Sequence, residues 1–98
     1  MMMEFLEVFN KVASLVKNGK KSKKVMEYAS SMDEKLTDID LDSLDYIMAF
    51  VYFADIYGVP EEEAKRWSPK TVQELHDLVM AGKTRQPGSM EELVEYAK

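Results

Sequence analysis

The chain has 98 residues, 46% of them hydrophobic, a formal net charge of −5, one histidine and no cysteine. The length suits one domain, and without cysteine there is no disulfide framework, no thiolate metal site and no cysteine nucleophile, so the fold stands on packing alone. The opening Met1-Met2-Met3-Glu4 lacks the basic start of a signal peptide and no stretch reaches membrane-spanning length, so the expectation is a cytoplasmic protein with no transmembrane segment.

The charge is uneven. Lys17, Lys20, Lys21, Lys23 and Lys24 fall together, whereas residues 33–63 carry ten acids against the single base Lys35. The acidic half should attract basic partners at long range, and a lysine cluster with no interleaved aromatic reads as a solvated connector, so no nucleic-acid partner is expected.

Apolar residues recur at three- and four-residue steps over 5–16, which predicts a first helix ended by Asn18-Gly19. Residues 25–32 fit either a short helical turn or an ordered loop packed on the bundle. A second helix should begin at Ser43, with Asp42 as its N-cap, and run to Tyr57. Between Leu44 and Tyr57 only Asp45 and Asp55 are charged, so this helix is apolar nearly all round and must be enclosed or offer a sticky face. One stripe is Leu44, Ile47, Val51 and Ala54 and another, offset around the helix, is Tyr46, Phe50, Phe53 and Tyr57; Leu44, Ile47 and Val51 are expected in the core, with Leu75 and Val79. Pro60 with Glu61 to Glu63 suits the first turn of a short helix, and Trp67 should close that element against the core. Ser68-Pro69 reads as the next start signal, before an apolar face of Val72, Leu75, His76, Leu78 and Val79 that Gly82 stops. After Gln86-Pro87-Gly88, the capping box Ser89-Met90-Glu91-Glu92 opens a terminal segment. The predicted fold is all-α: a small antiparallel bundle of three main helices, with a short helix between the second and the last. Residues 1–85 form the bundle, and residues 86–98 are an extension, a short helix or frayed tail, whose removal should matter little.

Two chemical readings fail on spacing. Asp38, Asp40 and Asp42 alternate as in a calcium-binding loop, but Ser43 stands where the glycine of that loop belongs and Ala49 where its closing glutamate belongs. A hydrolase needs a base beside its nucleophile, yet His76 lies on an apolar face and no Gly-x-Ser-x-Gly elbow surrounds Ser43. No catalytic residue and no metal site is expected, and the chain reads as a non-enzyme.

The segment Asp38-Ile39-Asp40-Leu41-Asp42-Ser43-Leu44, the helix-length run behind it, Gly58-Val59-Pro60 and the amphipathic segment after Thr71 together resemble the acyl carrier protein family over residues 36–79. The resemblance implies that Ser43 carries a 4'-phosphopantetheine arm, that Asp42 helps a phosphopantetheinyl transferase hold magnesium, and that Leu44 seats against that enzyme. It also implies a monomeric, free-standing carrier for a specialised biosynthetic pathway, served by an acyl-loading ligase and an acyl-using synthase or transferase. An aminoacyl or D-alanyl carrier, and an unmodified interaction module on the same fold, are the alternatives. The family's usual acids five and eleven residues after the serine are Met48 and Ala54 here, which points to partner docking through Met48 with Asp45 and Asp55, on a more apolar surface than usual.

Overall fold

The structure, a computed structural model, describes residues 4–18 and 27–97. Lys20, Lys21, Lys23 and Lys24, like Gly19, Val25 and Met26, lie outside the described residues. The regular elements among the described residues are all helical, with no strand: α1 spans Phe5–Asn18, α2 Ser43–Tyr57, α3 Glu61–Ala64, α4 Val72–Gly82 and α5 Met90–Tyr96, and a single 3-10 turn occupies Leu36–Asp38. No described helix is long and apolar enough to cross a membrane.

α2 is the hub, with α1, α3, α4 and α5 all packed on it. Its contact with α1 is aromatic. Phe5 stacks on Phe53 with ring centroids 5.3 Å apart, Phe9 lies 6.2 Å from Phe53, and Phe53 stacks on Tyr57. Such offset pairs add to what burial of their area contributes. Val72, Leu75 and Val79 of α4 are fully buried, as their spacing predicts.

The face that α2 buries differs from the expected one. Ala49, Phe53, Ala54, Ile56 and Tyr57 point inward, whereas Leu44, Ile47 and Val51 are exposed, at 66%, 60% and 38%. The reason is the composition of the helix itself. With apolar residues on every side its periodicity selects no face, so the neighbours decide, and they enclose the alanines and aromatic rings. None of the three expected core residues on α2 is inside, and of their stripe only Ala54 is buried.

The helix ends are capped locally. Thr71, rather than Ser68-Pro69, begins α4: its side-chain oxygen accepts from the Glu74 amide at 3.1 Å. Pro60 serves as the N-cap of α3, one place before the first helical residue. Gly58 ends α2 at φ 66°, a left-handed conformation that a side chain disfavours, and an added Cβ would collide with Thr84 Oγ1. Beyond it, Thr84 donates to the Tyr57 carbonyl and Arg85 donates to those of Asp55, Ile56 and Tyr57. A guanidinium at the negative end of the helix dipole is well placed.

The long first connection is an ordered loop over its described part, held by Asn10. The Asn10 amide accepts from Tyr28 and Ala29 at 2.7 and 2.8 Å and donates to the Ala29 carbonyl at 3.0 Å. Further on, Leu36 donates to the Lys70 carbonyl and Val72 to that of Glu34, so the loop is stitched to the start of α4.

The C-terminal residues pack into the core. Leu93 and Pro87 are fully buried, and the Arg85 guanidinium lies 4.1 Å over the Tyr96 ring. Ser89 accepts from the Glu92 amide as the capping box requires, but Glu92 reaches back to the Gly88 amide, one residue beyond the expected one. An isolated helix of seven residues is marginal, and this one is held by burial, which argues against the expectation that the segment matters little to stability.

Candidate functional site

Buried Leu36, Ile39 and Leu41 anchor the acidic loop and leave Asp38, Asp40 and Asp42 exposed between them. Asp42 adopts an extended backbone and caps α2. Its Oδ1 accepts from the Asp45 amide at 2.8 Å, and Asp45 Oδ2 accepts from the Asp42 amide at 3.1 Å, a reciprocal capping box. Among the described residues no cluster of three histidines, cysteines or acids could hold a metal ion.

Ser43 is the first helical residue, exposed to solvent, and no hydrogen bond among the described residues engages its hydroxyl. Its side chain stands at the positive end of a fifteen-residue helix, where unpaired amides favour an anion. It also lines a cleft of about 350 Å³ together with Leu41, Tyr46, Ile47 and Trp67. A second cleft of about 510 Å³ continues past Ile47, Phe50 and Trp67 to Val51 and Lys65. The two share Ile47, Phe50 and Trp67, so one apolar trough runs from Ser43 along α2 to α3. Its floor is firm: Phe50 meets Trp67 edge-on at 5.8 Å, and the Tyr46 hydroxyl donates to the Leu36 carbonyl at 2.7 Å. Burial pushes the Tyr46 phenol well above its ordinary range, so it stays a neutral donor.

Asp45 is tied inward. Lys17 Nζ, in the last turn of α1, lies 2.8 Å from Asp45 Oδ2, and the Asp45 side chain is only 16% exposed. The Lys17 hydrogen bond, with that of the Asp42 amide, holds the Asp45 carboxyl below its ordinary range, and the same bond raises the Lys17 ammonium. Lys17 was legible in the sequence only as one of a lysine cluster, since nothing local links it to a residue 28 positions on.

The remaining sequence-predicted residues separate. Leu44 and Met48 are exposed on the stripe that includes Ile47 and Val51. Asp55 is exposed near the far end of α2, on the line through Asp45 and Met48. Ala54 is 3% exposed and belongs to the core, so an acid missing there says nothing about a docking surface, and only Met48 bears on that comparison. His76 meets the Phe5 ring edge-on at 5.2 Å and sits 3.1 Å from Asp77 Oδ1, on the far element α4 rather than beside Ser43. Scans against protein-family models and searches of curated proteins and solved structures find no match to this chain.

Proposed function

We propose that the chain is a carrier protein whose Ser43 holds a phosphopantetheine arm, and whose acyl cargo is passed between enzymes as a thioester. The observation that carries the reading is the placement of Ser43: an exposed hydroxyl, unbonded among the described residues, on the first turn of the hub helix and at one end of an apolar trough. Ser43 Oγ would attack the pantetheine-side phosphorus of coenzyme A. The new bond is a phosphodiester, the bond to 3',5'-adenosine bisphosphate breaks, and the hydroxyl proton passes to a base of the transferase, which also holds the magnesium. Once attached, the arm supplies the thiol that a cysteine-free chain lacks. The residues fit such a group. The free amides of the α2 first turn suit the phosphodiester, and the trough lined by Tyr46, Ile47, Phe50 and Trp67 suits an apolar cargo. Tethering keeps the cargo at high effective concentration for each enzyme in turn. No residue of the chain is assigned a catalytic role.

Incubation with coenzyme A, magnesium and a broad-specificity phosphopantetheinyl transferase should raise the mass of the chain by one arm, and Ser43→Ala should stay unmodified. One observation favours a second reading, an interaction module that works without an arm: Leu44, Ile47, Met48 and Val51 form a continuous exposed apolar stripe. A chain that stays unmodified would leave that reading in place.

A further inference from the structure

The end of α1 is tied to the start of α2 by a half-buried contact, Lys17 Nζ to Asp45 Oδ2 at 2.8 Å. The same Asp45 oxygen accepts from the Asp42 amide, the residue immediately before Ser43. The ammonium of Lys17 is thus two hydrogen bonds from the backbone amide of the residue before the serine. Among the described residues, the charged groups that act on it are acids: Asp45 and Asp42 at the start of α2, and Asp40 in the preceding loop.

An anion fixed to Ser43 would add negative charge among these carboxylates. We propose that Lys17 is the positioning residue for that anion, leaving Asp45 for the group on Ser43, so that modification frees the Asp45 carboxylate beside the attached arm. The exchange leaves neither group without a partner: Lys17 moves to the phosphate, and Asp45 keeps the Asp42 amide when Lys17 departs. The phosphate oxygens gain a cation that no neighbouring residue of the acidic loop supplies. A ligand shifts an equilibrium only through differential contacts in the two states, and here the difference is which anion holds the ammonium. The consequence is regulatory: the modified chain presents an acid at Asp45 to a basic partner, and the unmodified chain withholds it. This deepens the carrier reading and rests on it for its biological meaning.

The test uses the full chain with phosphoserine encoded at position 43, which needs no transferase. Phosphorus NMR titration reads the second ionisation of the phosphate, ordinarily near 6. With Lys17 present it should lie lower, and Lys17→Gln should raise it by about half a unit, or roughly threefold in proton affinity. Lys17→Arg should restore the low value and Lys65→Gln should leave it unchanged, while far-UV circular dichroism checks that each variant is folded. Carboxyl carbon shifts should show Asp45 titrating higher in the phosphoserine chain than in the unmodified one. An identical phosphate titration with and without Lys17 would overturn the proposal. Failure of the unaltered chain to accept an arm from coenzyme A is a separate result, which would sink the carrier reading and leave the titration to decide the role of Lys17.

Discussion

Asn10 shows how much a single polar side chain in a helix can organise. Its amide fills three hydrogen bonds of a loop 18 and 19 residues away, and no local pattern announces this, because an asparagine in mid-helix is unremarkable until its partners are known. Asn10→Ala would leave part-buried backbone groups of Tyr28 and Ala29 unpaired and should cost about 1–3 kcal/mol, read from denaturant midpoints. An unchanged midpoint would mean that the loop is held by other contacts. Asp45 illustrates the reverse case, a residue legible as polar and helical whose working partner is distant. Its folded carboxyl titrates below the ordinary 3.8, so the stability it contributes is complete above that value and is lost as pH falls through the lowered one. Lys17 has the opposite sign: its raised ammonium contributes fully below the ordinary 10.5, and that contribution is lost as pH climbs beyond it. Asp45→Asn should therefore lower the thermal midpoint at pH 7 and match the parent in strong acid. A midpoint difference that is the same at both pH values would contradict the bridge.

Among the elements, α2 was the most legible in its boundaries and the least in its orientation. The N-cap Asp42 and the Gly58-Val59-Pro60 stop follow from local chemistry, which the sequence displays, and the helix runs between them as expected. Which face turns inward depends on the packing of four other helices, and a helix apolar all round carries no record of that. α4 has a polar side and was read correctly down to Leu75 and Val79, although its cap is Thr71, two residues beyond the Ser68-Pro69 signal. The contrast makes a paired prediction. Leu75→Ala should cost roughly 2–5 kcal/mol, whereas Ile47→Ala, at 60% exposure, should cost well under about 1.5 kcal/mol. Equal losses in urea unfolding would place Ile47 in the core after all. The side chains freed from core duty, Leu44, Ile47, Met48 and Val51, are what α2 has to offer a partner, and recognition there should depend less on salt than an acidic face would.

At the scale of the whole molecule, the helical class and the order of elements followed from periodicity and capping signals, and the place of the C-terminal segment did not. Its attachment depends on Arg85, which covers the last carbonyls of α2 and lies over Tyr96, and on Leu93, which fills a site with no exposed surface. These are contacts across the chain that spacing within 86–98 cannot announce. Leu93→Ala should cost roughly 2–5 kcal/mol, and a chain ending at Gln86 should unfold at a markedly lower temperature than the parent. A truncated chain with the parent's midpoint would show that the segment is dispensable. The carrier reading also joins distant parts, since the serine, the acidic loop that presents it and the trough beside it come from residues 36–69. Its most direct test is the intact mass of the chain after incubation with coenzyme A, magnesium and a phosphopantetheinyl transferase. The account predicts a single added arm, located on the peptide containing Ser43 and absent from Ser43→Ala; a chain that stays unmodified, or one whose arm persists in Ser43→Ala, would contradict it.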